Sequence, residues 1–398
     1  MTQEIRPQHE LSFEDTEIAF RNKTDADLNR AYWLFKLLAS NFLTQIGPPL
    51  TNAALRVGLP ITGIIRKTIF KHFCGGESIE GCAGTILNLA AQGVGTILDY
   101  SVEGENTEQA FDETCEEILR TVAYAKNSEH IAFSVFKPSG LGRFGLWAKV
   151  NAKETLTEAE AAEYERVKQR ITRICEACHN AEVRVLIDAE HSWIQDAIDD
   201  IAREMMLTFN RSAPIVYNTY QLYRHDKLAS LKADYYLCET AGCFLGAKLV
   251  RGAYMEIERE RATDKGYPSP IQPDKAASDS DYNEALLFSL DHISRIGLMA
   301  GTHNEASCRL LAEEMDRRQL PHSHPHIHFA QLLGMSDNLS FNLAEAGFNV
   351  AKYMPYGPVK AVMPYLFRRA RENTSVAGQT GRELALLIRE KKRRKSIK

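Results

Sequence analysis

Membrane-spanning length is the first thing missing: no apolar run in this 398-residue chain reaches the roughly eighteen residues that a spanning helix needs. The opening stretch MTQEIRPQHELSFEDTEIAF holds five acids against one arginine before any hydrophobic run. That excludes a recognisable secretion signal and runs against the Arg-rich, acid-poor make-up of a transit peptide. Cysteine is thin: Cys74, Cys82, Cys115, Cys175, Cys178, Cys238, Cys243 and Cys308 are scattered, so no dense disulfide framework exists and reduced thiols in a cytoplasm are expected. Net charge is only −4. With no strong field and no RNA- or DNA-binding signature, no nucleic-acid partner is expected. A glycine-rich phosphate turn, G-x-G-x-x-G, is also absent: GTILDYSVEGEN does not fit it, and GCAG at 81–84 lies in a helical stretch.

What is present is an ordinary globular balance, 44% hydrophobic and 25% charged. Residues 1–90 read as helices: DLNRAYWLFKLLASNFL carries apolar residues at helical spacing and PITGIIRKTIFKHFC starts another helix at Pro60. From Gly95 the pattern changes to short β-rich runs separated by charged helical segments. The runs are GTILDYSV (95–102), HIAFSVFK (130–137), EVRVLIDAE (182–190), PIVYNTYQ (214–221), FLGAKLVRG (244–252), GLMAG (297–301), HIHFAQL (326–332) and FNVAKYM (348–354). Eight strands alternating with helices predict an α/β fold, a (β/α)8 TIM-type barrel with an N-terminal helical extension. Polar residues stand at or just past the C-terminal ends of the runs: Asp99, Lys137, Asp188, Gln221, Arg251, His303, Gln331 and Tyr353, with Lys248 inside the fifth. That end is the catalytic face of such a barrel.

Two motifs point elsewhere. CEACH at 175–179 matches a c-type haem attachment motif, but it lies in a charged segment of helical character without an export signal, so helix cysteines are expected. HSHPHIHF places His322, His324, His326 and His328 on alternate positions, a metal-pair geometry. No carboxylate or cysteine joins them in that stretch, and they precede the seventh strand at the non-catalytic end, so no metal is expected.

KLVRGAYM, 248–255, is the informative segment. Lys248 and Arg251 sit in an apolar run and both need anions, because desolvating an unpaired charge is very costly. Either the pair bonds Asp188 and Asp99 within the barrel, or it faces a ligand; Gly252 lets a flat ligand approach the backbone. MPYLFRRAREN adds Arg368 and Arg369 one turn after Tyr365. Neighbours on a helix point about 100° apart, so both reach one small anion only if it lies against the flank between them; the alternative is a solvated face with an Arg368/Glu372 pair. Lys137, Lys248, Arg251, Arg368 and Arg369 together suit a carboxylate beside an electron-rich or phosphate-bearing partner, with Asp188 free to face an amine. A Schiff-base aldolase on Lys137 or Lys248 competes with that reading.

The segments LIDAE, KLVRGAY, GTHN, LLGM and YMPYGPVKAVMPYLFRRAREN, in this order, resemble the proline dehydrogenase family, and the similarity runs from about Phe20 to Ser375. The resemblance implies a distorted barrel that holds non-covalent FAD, with the last barrel helix folded over the site. It implies domains at 1–90 (helical), 91–375 (FAD-binding barrel with its lid helix) and 376–398 (basic tail). By the same resemblance Arg368 and Arg369 clamp the carboxylate of L-proline with help from Lys137, Glu372 orients them, and Leu332, Tyr353 and Tyr365 pack the ring. Asp188 and Lys248 take active-site positions, while Gln221, Arg251, Gly252, Ala253, Thr302 and His303 match FAD contacts. The implied reaction yields Δ1-pyrroline-5-carboxylate by hydride transfer to flavin N5, with electrons passed to a quinone and the product left to a separate dehydrogenase. Lys248 and Arg251 stand in the order of mitochondrial-type members, the reverse of the bifunctional bacterial ones, which moves the forked donor. Tyr353 replaces the small residue of hydroxyproline-oxidising relatives, which favours proline. KKRRKSIK after Leu384, Leu387 and Ile388 suits contact with an anionic membrane on its inner face; the alternative is a solvated helix end.

Overall fold

Runs that are apolar along their whole length become parallel strands buried on both faces. In the computed structural model, which describes residues 11–38, 62–102, 106–375 and 379–397, all eight form: β1 Val94–Tyr100, β2 Ile131–Phe136, β3 Val185–Ile187, β4 Val216–Gln221, β5 Leu245–Val250, β6 Ile296–Gly301, β7 Ile327–Leu332 and β8 Val350–Tyr356. They follow one another in chain order round a closed barrel. One run is much shorter than its sequence suggests. Glu182 ends the helix Glu158–Ala181 in the left-handed conformation, φ 56°, so the chain enters β3 late, and Asp188 to Glu190 leave the sheet as irregular backbone.

The intervening segments are helices with conventional starts. Thr157 and Glu160 form a reciprocal capping box on the helix Glu158–Ala181, and Asn304 caps Glu305–Arg317 through Ser307. Cys175 and Cys178 are buried within the first of these helices, and burial pushes both thiols up. Among the described residues no helix is long and apolar enough to cross a membrane.

The chain packs as two compact units. One contains Ile97–Tyr100 and the described residues 106–330, hence β2 to β6 and their helices; the other contains the described residues up to Thr96, Ser101 and Val102, and everything described from Gln331 on. In the latter, the helices Thr16–Phe20, Asp25–Leu38 and Gln379–Ile397 share a core of Ala19, Phe20, Leu28, Ala31, Phe35, Leu386 and Leu387, with Leu384 against it. Of the three apolar positions expected to rest on lipid, two pack inside the protein and Ile388 is exposed. Leu384 and Leu387 face protein, and the tail's arginines are spent on the N-terminus: Arg389 reaches Glu14 at 2.7 Å, Arg393 Glu17 at 2.9 Å, and Arg394 Asp25 at 3.0 Å.

The histidine run is split among unrelated partners. His322 Nε2 meets Asp316 at 2.6 Å, His326 Nδ1 meets the Ile293 carbonyl at 3.0 Å, and buried His328 lies 3.4 Å from Arg184 Nη1. Burial first, then the Arg184 charge, hold His328 down at about 3. A ring whose folded value lies below its unfolded 6.5 favours the native state above pH 6.5, and that contribution is lost as pH falls toward 3. Wild type should therefore lose about 2 kcal/mol from this residue between pH 7.5 and pH 5. His328→Gln should flatten that limb in urea denaturation; an unchanged slope would show that His328 does not carry it.

Candidate active site

Strand register explains how the first functional pair meets. Ile187 lies opposite Asn218, and Thr219 opposite Lys248, so Asp188, one residue past β3, is level with Lys248 on β5. Residues of alternate strands share an interior layer in such barrels. Lys248 Nζ donates to Asp188 Oδ1 at 2.6 Å, with side chains only 9% and 13% exposed. On the neighbouring turn Lys137, which follows β2, stands 3.9 Å from Asp99 Oδ2 of β1. Both lysines therefore face a carboxylate, and a site built on them carries balanced charge rather than two bare cations.

Arg251 departs from the sequence expectation. It is three residues past Lys248, an odd step, so strand alternation sends it to the opposite side. There its Nε donates to Asp279 at 2.6 Å, Nη1 to Thr302 Oγ1 at 2.9 Å and Nη2 to Ser307 Oγ at 3.0 Å, while its guanidinium stacks 4.4 Å from the Tyr282 ring centroid. Its anion is thus Asp279, not Asp99. Burial tends to raise the Asp279 carboxyl, but Lys275 and Arg251 bring it below its ordinary value. Three of the five guanidinium N–H groups are engaged by these contacts, and the network fixes Thr302, whose hydroxyl also accepts from Asn304 N at 3.0 Å. His303 lies between those two, half-buried at the entry to the next helix.

Gln221 ends β4 facing the same way as Thr219, two residues before it. Its Nε2 donates to the Glu190 carbonyl at 3.0 Å, and its buried Oε1 finds no donor among the described residues. Gly252 and Ala253 follow β5 as exposed backbone. Gly252 has φ 138°, and a Cβ there would lie 2.4 Å from the Tyr223 ring, so only glycine fits. A buried unpaired acceptor beside an open stretch of glycine backbone suits a flat ring bearing N–H and C=O groups.

The second unit holds the arginines. The helix Met363–Ser375 starts with Pro364 in its first turn, where a missing N–H costs nothing. It is anchored by Met363, Tyr365 and Leu366 in an apolar cluster with Phe70, Phe73, Met335 and Val362, against which Leu332 and Phe367 pack. Arg369 is 8% exposed and Arg368 half-buried; their guanidinium carbons lie 5.3 and 5.9 Å from the centroid of the buried Tyr365 ring. The Glu372 side chain falls outside the described residues. Tyr353 is buried on β8, and its carbonyl accepts from Leu333 N at 2.9 Å.

Sequence reasoning missed what holds this loop. Lys352, the neighbour of Tyr353, is fully buried and donates to Asp337 Oδ1 at 3.0 Å and to the Met335 and Leu332 carbonyls at 2.5 and 3.4 Å. Burial raises the Asp337 carboxyl, but Lys352 and Lys23 outweigh it and hold it at about 2. His72 Nε2 meets the Gly334 carbonyl at 2.8 Å. Alternation was the available signal: if Tyr353 points one way, Lys352 points the other and needs an anion of its own. Glu190 was missed likewise; its carboxylate accepts from Ser139 N and Oγ at 2.8 and 2.5 Å.

Comparison with known proteins follows the same outline. A family model described as proline dehydrogenase matches residues 82–382. Proline dehydrogenase 1, mitochondrial, of Dictyostelium discoideum is 32% identical over 426 residues, covering 96% of this chain and 74% of the relative. The human proline dehydrogenase 1, mitochondrial, is 40% identical over 241 residues, 60% of this chain and 40% of its own length. Among solved structures, proline utilization A of Bdellovibrio bacteriovorus, inactivated by N-propargylglycine, matches with a TM-score of 0.71 at 20% identity, over 96% of this chain and 42% of that one. The chain thus spans about two fifths of the length of that solved protein, and the likeness supports the fold alone. A family match across most of the barrel, joined to relatives similar along nearly the whole sequence, shows that the chain belongs to the proline dehydrogenase family.

Proposed function

We propose that this chain oxidises L-proline to Δ1-pyrroline-5-carboxylate with non-covalent FAD as cofactor and a quinone as the final electron acceptor. The observation that carries this reading is the pair of adjacent guanidinium groups held beside the buried Tyr365 ring. Planar forks of that kind match a carboxylate, and an aromatic wall suits a pyrrolidine ring. In this reading Arg368 and Arg369 bind the carboxylate with Lys137 assisting, and Leu332, Tyr353 and Tyr365 pack the ring and exclude water. Gln221, Arg251, Gly252, Ala253, Thr302 and His303 would hold FAD, which supplies the hydride acceptor that side chains lack.

The substrate amine must be neutral before its neighbouring carbon can give up hydride. We assign Asp188 to face that amine, with Lys248 fixing the carboxylate and adding positive charge to the layer. The carboxylate clamp contributes by orientation, since donor and acceptor must be held at near-attack distance. The product, a cyclic imine, hydrates and opens to an aldehyde, which we assign to a separate dehydrogenase. Delivery to a quinone requires approach to a membrane; the exposed Lys392 and Lys395 of the last helix remain for it, on the cytoplasmic side in a bacterial setting.

An anaerobic visible spectrum before and after L-proline tests the core of this reading. The expected result is flavin absorption that bleaches with L-proline and less readily with hydroxyproline, which Tyr353 would crowd. Flavin that ignores proline removes the substrate assignment; protein that cannot take up FAD removes the whole reading.

A further inference from the structure

Behind Gln221 runs a buried hydrogen-bond relay that none of the assigned roles uses. The Glu190 carbonyl that accepts from Gln221 Nε2 belongs to a residue whose own N–H donates to Gln195 Oε1 at 2.7 Å. Gln195 Nε2 in turn donates to Asp199 Oδ1 at 2.8 Å, which also accepts from Asn218 Nδ2 at 3.0 Å, and Lys227 Nζ donates to Asp199 Oδ2 at 2.7 Å. Gln195, Asp199, Asn218 and Lys227 are all buried, with exposures of 0, 4, 0 and 3%. A lysine and an aspartate so deep in the wall of a barrel are not explained by solubility, and a buried pair is weak evidence for stability.

Direction at Gln221 is set by the Glu190 carbonyl, and the relay holds the residue that carries it. A carboxylate only accepts, so the Gln195 amide must turn its NH2 toward Asp199 and its oxygen toward the Glu190 N–H. A carbonyl only accepts, so Gln221 must turn its NH2 toward Glu190. The remaining end of Gln221 is therefore an acceptor, the same buried Oε1 that meets no donor among the described residues. Asn218 cannot reverse the sense, because its own Oδ1 already accepts from Thr219 N at 2.9 Å.

We propose that Gln195 and Asp199, with Lys227 bonded to Asp199, are positioning residues that hold Glu190 in place, so that its carbonyl orients the Gln221 amide to present an acceptor to a ring N–H of the cofactor. The proposal rests on the FAD reading. An oxidised isoalloxazine has a single ring N–H, so a flipped or mobile Gln221 would offer NH2 where an oxygen is needed and leave two donors opposed.

The test is a double-mutant cycle on the FAD-loaded enzyme, reading the rate of FAD release by fluorescence recovery on dilution and the flavin absorption envelope. Gln195→Met keeps side-chain length while removing both relay bonds. It should speed FAD release about tenfold in the native background and by less than about twofold in Gln221→Ala, because its effect passes through Gln221. Equal acceleration in both backgrounds, or none in the native one, overturns the relay while leaving the FAD reading intact. Should Gln195→Met fail to fold, Asp199→Asn with Lys227→Met, which removes the buried charges together, enters the same cycle with the same expectation. A native enzyme unable to hold FAD overturns the functional reading and the relay with it.

Discussion

Replacing Arg369 with methionine should lower kcat/KM for L-proline on the order of 10²- to 10³-fold while changing that for pyrrolidine, which lacks the carboxylate, by less than about threefold. The expected size is that of a charge-assisted, forked hydrogen bond to an anion, about 3–4 kcal/mol once desolvated. Arg369 is the more buried of the two arginines, so its loss should exceed that of Arg368→Met. Lysine at either position should rescue little, since a point charge cannot reproduce the planar fork stacked near Tyr365. Part of the loss should appear in kcat, because the carboxylate grip also orients the reacting C–H bond. FAD content serves as the control and should remain at the wild-type level. Equal losses on proline and pyrrolidine would show that Arg369 holds the helix Met363–Ser375 rather than the substrate.

The barrel was legible because strands covered on both faces cannot avoid being apolar along their length, and eight such runs alternate with capped helices. Lys248 and Asp188 were legible for the opposite reason: a charge in an apolar strand announces a partner, and Asp188 was one of the two candidates named. The partner of Arg251 was not. Asp279 lies 28 residues on, in a helix, and no periodicity links a strand-end arginine to one acid among several on a following helix. The partners of the tail's arginines were hidden in the same way. Leu384, Leu387 and the arginines after them look like a lipid-facing basic helix until Glu14, Glu17 and Asp25, more than 360 residues earlier, are seen beside them. Lys352 was hidden by its neighbour, since attention to Tyr353 left the other face of β8 unread. Local rules report what a residue needs; only the closed fold reports who supplies it.

Breaking the Lys248–Asp188 pair should cost more than removing it. Lys248→Met should destabilise the protein by about 3–5 kcal/mol in urea denaturation, because it takes the ammonium away from a carboxylate held in the barrel layer. Asp188→Leu should do much the same by taking the carboxylate away from the buried ammonium. The double variant Lys248→Met/Asp188→Leu should be nearer wild type than either, within about 2 kcal/mol, since two apolar side chains fill the layer without an orphaned charge. The contact distance of 2.6 Å and the side-chain exposures of 9% and 13% put the pair in the regime where this non-additivity holds. Activity should not follow stability. If Asp188 faces the substrate amine and Lys248 holds it in place, the double variant should fold well, keep its FAD and turn over proline at less than about a thousandth of the wild-type rate. Recovery of stability together with activity would mean that the pair is only a strut across the barrel, and the acceptor for the amine proton would then have to be sought outside it.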